Sequence, residues 1–461
     1  MIDRRRLALV CLVAALHGLF FIWYQRPDWA TYWTDQDGYR RLGAVLADTG
    51  RFTRFPAEPR FVPEVIRTPG YPAFVALVYM VAGRHQAAIA LAQTILFVLI
   101  CCLVWLIGRE MVTEHVALAA AAATALYSPI PYFGALVMTE VWTTLLLTLG
   151  LWLCFRTRRT QRITDAIAAG IVLAAVALTR PVFVLLPFVL CAVAAATEPI
   201  GRRRTWAIAA GVATIALLPW FAYNYVNLNR FALSPAGGLG RAVWEGSWQG
   251  RWSGRVHNEL THTADAHADR GELAAAVDSI AVREHLDPIP MLTYVHQWQD
   301  IRQIWTRPID PYERALARMA ADSEYLRVGV ANIRTNLLPY LWRRTTRGLF
   351  VLWAAEIPVR YSDINRLPVT VIRTIWAAEV LILAAAGFGL AALLRNGAWR
   401  DGAMLAAPVL YITAVHFPLL TEARQSLPAM PVVLLLAVIG VTVGVRHVRQ
   451  SAATEIRVDP A

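Results

Sequence analysis

Ten apolar runs separated by arginine clusters constrain this chain more than any other feature. The runs lie near 7–24, 86–107, 115–130, 134–155, 163–179, 182–197, 205–222, 368–394, 402–418 and 427–445. Basic residues flanking a membrane span stay on its cytoplasmic side. Arg4, Arg5 and Arg6 precede the first run, and further clusters hold Arg109, Arg156/Arg158/Arg159/Arg162, Arg202–Arg204, Arg395/Arg400 and Arg446/Arg449. Ten spans with both termini cytoplasmic fit every cluster, although several runs are shorter than the ~20 residues of a straight crossing. The expected fold is therefore an all-α polytopic membrane protein with two extracytoplasmic loop regions, located in the plasma (inner) membrane. At 461 residues, 57% hydrophobic, the chain carries more apolar surface than a water-soluble domain needs.

The net charge of +12 comes from arginine, because the chain contains no lysine. Clustering between apolar runs is the positive-inside pattern, which excludes nucleic acid as a partner. The five cysteines (Cys11, Cys101, Cys102, Cys154 and Cys191) all lie inside apolar runs, so neither a disulfide framework nor a thiolate metal site follows. The first run lacks a small-residue cleavage site and reads as a retained span rather than a signal peptide.

The resulting division is 1–24 as the first span, 25–85 as a first outer loop, and 86–222 as spans two to seven. Residues 223–367 form a second, mostly helical outer region, 368–445 the last three spans, and 446–461 a cytoplasmic tail, expected to be disordered after Ser451. In the first outer loop, 37–49 puts Tyr39, Leu42, Val45 and Leu46 on one face of an amphipathic helix that would lie on the membrane surface, with Gly50 as its stop. Residues 70–82 read as a re-entrant or interfacial helix opening at Pro69-Gly70-Tyr71-Pro72. In the second region, 313–328 is helical by pattern and 346–357 is a short interfacial stretch. Tryptophans are expected as interfacial anchors.

Several charged residues fall at one predicted membrane level. Asp35 and Asp37 follow the first span. With a helix starting at Asp37, Asp37 is a natural N-cap and Asp35 lies in the extended approach. A carboxylate acting as general base must reach an acceptor hydroxyl. Arg67 opens a proline-set turn, and its planar fork suits phosphate oxygens. Glu140 marks the outer end of the fourth span, where an acid is costly unless it is paired or faces a polar cavity. Arg180-Pro181, His416, Glu422 and Arg424 share that level. Acids and arginines converging on one membrane face suit an anionic lipid-linked substrate. His257, His262 and His267 recur every five residues, a spacing that does not align metal ligands on a helix, and are taken as solvated loop residues.

The Asp35 motif followed by Tyr39, then Gly50-Arg51-Phe52 and Arg67-Thr68-Pro69-Gly70-Tyr71-Pro72-Ala73-Phe74, resembles the first outer loop of GT-C glycosyltransferases. The branch resembled contains protein O-mannosyltransferases and the lipid A aminoarabinose transferase. Leu178-Thr179-Arg180-Pro181, Pro219 to Tyr225, Val243-Trp244-Glu245-Gly246, Asn336 to Leu341 and Arg424 to Pro431 extend the resemblance over nearly the whole chain. It implies an enzyme of the cell envelope that moves a hexose or pentose from a polyprenyl-phosphate donor to a lipid, glycan or protein acceptor, with inversion, at the outer face. It also implies Asp35 as first catalytic candidate, then Asp37, with Glu140 as a further acid. Arg67, Arg180 and Arg424 are the expected donor-phosphate contacts, and Tyr39, Tyr71, Asn224, Trp244, His416 and Glu422 the expected cavity residues. Gln36 replaces an acid often present beside the first one, which weakens a metal role. A divalent cation, Mg2+ or Mn2+, is the one cofactor considered. Two rival readings are a lipid or glycan transporter, which calls for mid-membrane charges and an inverted repeat, and an O-antigen-type polymerase or ligase.

Overall fold

In the computed structural model, residues 4–29, 34–267, 269–364 and 366–455 are described. No strand occurs among them. Ten apolar helices occupy the ten expected stretches: α1 (Arg4–Gln25), α4 (Gln86–Arg109), α5 (Glu114–Leu126), α7 (Glu140–Thr160), α8 (Ile163–Thr179), α9 (Leu186–Thr197), α10 (Arg203–Leu228), α19 (Val369–Arg395), α20 (Trp399–His416) and α21 (Met430–Glu455). Between them lie α2 (Thr34–Thr49), α3 (Gly70–Ala82) and the short α6 (Pro129–Gly134). The long polar stretch between α10 and α19 supplies α11 (Leu239–Trp248), α12 (Gly254–Ala266), α13 (Arg270–Glu284), α14 (Pro288–Thr306), α15 (Pro311–Thr335), α16 (Leu337–Arg343), a π-helical turn at Arg344–Gly348, α17 (Leu349–Ala354) and α18 (Tyr361–Ile364).

Five helical stretches are long and apolar enough to cross a membrane alone: Arg4–Gln25, Gln86–Arg109, Ile200–Leu228, Val369–Arg395 and Leu427–Val445. Of the others, α7 has 21 residues but carries charge at both ends, and the rest are shorter. The 13 residues of α5 rise only about 20 Å at 1.5 Å per residue, against a hydrocarbon core of roughly 30 Å. The expected 134–155 span begins at Glu140, because α6 takes up Pro129–Gly134 as a separate turn.

The helix ends lie in two charged layers. Arg158 bridges Glu198 at 3.1 Å and Asp401 at 2.8 Å, holding the ends of α7 and α9 and the start of α20 at one level. Glu140 and His416 lie at the other ends of α7 and α20, and Arg180 caps the end of α8.

Helices α12 to α15 start differently from the apolar ones. Ser253, Asp269, Asp287 and Asp310 each accept a backbone N–H at the N-terminus, with Pro288 and Pro311 preset for the first turn. The tryptophans here are not interfacial anchors. Trp244, Trp248, Trp252 and Trp298 pack with Tyr294 and Tyr325 into a buried aromatic core, which closes an amphipathic bundle too polar to sit in lipid. His257 and His262 lie on α12 rather than in a loop, and His267 ends it; the His257 ring meets the Tyr294 hydroxyl at 3.4 Å. The tail is helical to Glu455, and the expectation for the residues beyond lies outside the described ones.

Candidate active site

Helix α2 begins at Thr34, three residues earlier than expected, so Asp35 and Asp37 both stand in its first turn. Acids there meet the positive end of the helix dipole, which favours the earlier start over an Asp37 cap. Two helical positions apart, the carboxylates diverge by about 200°. Asp35 turns inward, and its Oδ1 accepts from Arg67 Nη2 at 3.0 Å. Asp37 turns outward, half-exposed, and pairs with Arg41 at 2.9 Å. Between them Gln36 is fully buried, and its Oε1 accepts from Val137 N at 2.9 Å and Gln86 Nε2 at 3.1 Å. This amide clamps α2 to the segment before Glu140.

Arg67 is positioned from three sides. Glu64, buried and paired with Arg54 at 2.6 Å, accepts the backbone N–H groups of Ile66 and Arg67. Thr68 donates to Thr179 O at 3.1 Å, tying this turn to the end of α8 and so to Arg180. Gly38 leaves room for the guanidinium, since a Cβ there would lie 2.3 Å from Arg67 Cζ. At Gly70 a Cβ would lie 2.8 Å from Leu178 O, so the start of α3 can touch the end of α8 only as glycine.

Glu140 opens α7, 1% exposed. Its Oε1 lies 3.6 Å from Arg424 Nη1 and 4.0 Å from Arg180 Nη1. Arg424 also reaches Asp35 at 3.8 Å and Glu422 at 2.8 Å. Burial opposes the charge of Arg424, but Glu422, Glu140 and Asp35 outweigh it and raise its pKa. Burial likewise raises the Glu422 carboxyl, and Arg424 overcomes this and holds it below the usual carboxylate range. Among the described residues, buried Arg180 Nη1, Arg67 Nε and Glu140 Oε2 have no hydrogen-bond partner. Such groups are costly within a finished core and suit a site that meets an anionic, hydroxyl-bearing ligand.

These residues line one cavity of about 530 Å³. Asp35, Tyr39, Arg67, Glu140, Arg180, His416 and Arg424 all face it. The remaining expected residues do not, and each for a physical reason. Tyr71 is fully buried behind Tyr39, edge-on at 5.0 Å, with its hydroxyl given to Gln93. Asn224 is buried and donates to Ala232 O and Leu233 O, shaping the loop whose Leu233 and Ser234 form the wall. Trp244 belongs to the aromatic core of the α11–α15 bundle, donating to Gln297 at 2.7 Å. Glu422 acts on the cavity through Arg424, and Asp37 faces away. Burial lifts the Tyr39 hydroxyl to about 12, with Arg67 opposing, so the ring offers a neutral O–H and an apolar face.

Sequence reasoning missed Glu64 and the 232–239 wall. The Glu64-x-x-Arg67 spacing and the Ser234-Pro-Ala-Gly-Gly turn are the signals that could have found them. The acids do not form a metal-ligand set. Each faces guanidinium groups that would repel a divalent cation, and no metal-holding cluster of three occurs among the described residues.

One further acid lies near this site. Burial pushes the Glu356 carboxyl from 4.5 up to about 7, with the Ile357 N–H and Arg424 opposing and Glu140 adding. Between those values the native state holds a proton that the unfolded chain has released, so stability falls as pH rises from 4.5 to 7. Glu356→Gln is therefore expected to raise the thermal unfolding midpoint at pH 8, with an upper bound of about 3 kcal/mol, and to change nothing near pH 4. Unfolding in detergent across pH checks this, and equal midpoints at pH 8 would count against it.

Residues 66–223 match the protein family described as dolichyl-phosphate-mannose-protein mannosyltransferase. No curated protein matches the chain. Among solved structures, the archaeal oligosaccharyltransferase AglB from Archaeoglobus fulgidus, in complex with an inhibitory peptide and a dolichol-phosphate, is similar with a TM-score of 0.52 at 13% identity. The match covers 100% of this chain and 53% of that one. The same oligosaccharyltransferase tethered with an acceptor peptide gives 0.52 at 14% identity, covering 96% and 50%. ArnT from Cupriavidus metallidurans bound to undecaprenyl phosphate gives 0.41 at 14%, covering 94% and 78%, a likeness too weak to argue from. The chain thus spans about half the length of the oligosaccharyltransferase it matches. The chain shares the fold of the archaeal oligosaccharyltransferase, and its match to the mannosyltransferase family runs over residues 66–223.

Proposed function

We propose that this protein is an integral-membrane glycosyltransferase that moves a sugar from a polyprenyl-phosphate donor to an acceptor hydroxyl, with inversion, at the extracytoplasmic face. The observation that carries the reading is the convergence of Arg67, Arg180 and Arg424 with Asp35 and Glu140 in one cavity. Three guanidiniums suit a lipid-linked phosphate. The neighbouring oligosaccharyltransferase, solved with a dolichol-phosphate, supports a donor of that class. The outer location is supported by the position of the cavity, at the helix ends opposite the layer of Arg158 and Arg159.

In this mechanism the prenyl tail stays in lipid and the phosphate meets the arginines. Asp35 takes the acceptor's proton as the acceptor oxygen bonds to the anomeric carbon. The bond from that carbon to the phosphate oxygen breaks, its electron pair leaving with polyprenyl phosphate, and Arg67, Arg180 and Arg424 stabilise the departing charge. Attack opposite the leaving group inverts the centre. Neutralisation by arginine leaves no step that requires a divalent cation. Glu140 orients Arg424 and Arg180.

The test is incubation of the purified protein in lipid with radiolabelled polyprenyl-phosphate sugars. Sugar transfer or donor hydrolysis is expected. Failure to bind any such donor would overturn the reading and favour the transporter.

A further inference from the structure

A second cavity, of about 620 Å³, opens between residues 249–258 and the π-helical turn. Trp252, His257, Asn258, Arg347 and Phe350 line it. Leu420 lines both this chamber and the candidate active site, so the two are neighbours. On the other side, Thr346 and Phe350 also line an apolar groove between α17, α19 and α20, with Trp353, Leu383 and Val409. An apolar groove, a polar and aromatic chamber and the cavity that holds Asp35 therefore lie side by side, with Thr346, Phe350 and Leu420 as their shared walls. Just before the turn, α16 exposes Leu338 and Trp342 at 78% and 72%, the surface expected against lipid at a membrane boundary.

The charge beside the chamber is one-sided. Arg343 and Arg347 close on Gly250, whose φ of +77° permits the turn, and a Cβ there would lie 3.2 Å from Arg347. Burial, and then repulsion from Arg251 and Arg347, lowers the pKa of Arg343. Arg343 and Arg347 donate only to the carbonyls of Ser247 and Gly250, and Arg251 lies over the Trp248 ring. None of these three arginines forms an ion pair among the described residues. Among the described residues, buried Arg343 Nε and Trp252 Nε1 have no hydrogen-bond partner. Arg344, between them in sequence, is fully engaged. It donates to the carbonyls of His416, Phe417 and Leu419 and to Gln249, so it pins the loop that leads to Arg424.

A donor's phosphate is bonded to the carbon under attack and so belongs among Arg67, Arg180 and Arg424. A second uncompensated set of cations serves a second anion. We propose that the chamber binds the phosphate-bearing, hydroxylated head of an amphiphilic acceptor, with its apolar chains in the α17–α19–α20 groove and its reacting hydroxyl directed past Leu420 toward Asp35. This names the acceptor class for the glycosyltransferase reading and rests on it.

The test is native mass spectrometry of the full chain with undecaprenyl phosphate, phosphatidylinositol and phosphatidic acid. Wild type is expected to hold one undecaprenyl phosphate and one phosphatidylinositol together, and to prefer phosphatidylinositol over phosphatidic acid by about 5-fold or more. Arg343→Gln/Arg347→Gln should lose roughly 10-fold in affinity for phosphatidylinositol and keep undecaprenyl phosphate. Arg347→Gln alone, at an exposed position, should lose about 3-fold and guards against misfolding of the double variant. One-for-one displacement of phosphatidylinositol by undecaprenyl phosphate would overturn the proposal. So would equal binding of the two phospholipids, the mark of a bulk headgroup surface, or unchanged affinity in both variants. Undecaprenyl phosphate binding left intact by Arg67→Gln would instead sink the donor reading, a separate failure.

Discussion

Asp35→Asn is expected to lower sugar transfer by roughly 10²–10⁴-fold while leaving donor binding within a few-fold. The amide keeps the size of the side chain and can still accept from Arg67, so the fold and the phosphate contacts survive. What it cannot do is take a proton from the acceptor. Asp37→Asn is the matching control. Asp37 shares the same helical turn and the same contribution to the helix dipole, but it faces Arg41 and solvent. Its loss should change transfer by no more than a few-fold. Radiolabelled transfer and donor binding, measured on both variants, check this. A fully active Asp35→Asn would remove Asp35 as the base and direct attention to Glu140.

Arg424→Met is expected to abolish donor binding and to destabilise the protein by about 3–5 kcal/mol, the cost of leaving a buried charge without its partner. Arg424 is the only side chain that reaches Asp35, Glu140 and Glu422 together among the described ion pairs. Without it Glu140 retains only Arg180, at 4.0 Å. Adding Glu140→Gln removes the most deeply buried of the stranded charges, since Asp35 and Glu422 are partly exposed. The double variant should regain most of the lost unfolding midpoint and still fail to bind donor. This separation distinguishes a phosphate contact from a structural ion pair, because a purely structural arginine would have its binding rescued along with its stability. Thermal unfolding in detergent, set beside donor binding, makes the measurement.

The apolar runs located the long helices because hydropathy reports burial or lipid contact directly, and the helix ends fell within a few residues of the arginine clusters and prolines that mark them. Charged residues placed at one level by that topology (Asp35, Arg67, Glu140, Arg180, His416 and Arg424) face one cavity in the structure. Features set by tertiary packing were not legible. The start of α2 depends on Gln36 being buried against Val137, a contact across the chain. Trp244 looks in sequence like any boundary tryptophan, and only the assembled outer bundle buries it. The role of Gly38 is visible only once Arg67 is seen folded over it. Arg344 and Arg347 are three residues apart in one polar stretch. One is fully engaged with backbone carbonyls and the other faces a cavity, a difference that periodicity cannot supply.

The pairing of Glu140 with Arg180 bears on how the protein is made. These residues enter the membrane on consecutive helices, α7 and α8, early in synthesis, and an unpaired carboxylate at that position is expensive in lipid. Their contact at 4.0 Å gives the acid a partner long before Arg424 emerges from the ribosome. From Arg180 onward the growing chain thus carries this acid with a partner in reach. The late arrival of Arg424 converts an assembly intermediate's ion pair into the larger charge cluster to which the proposed function assigns the donor phosphate.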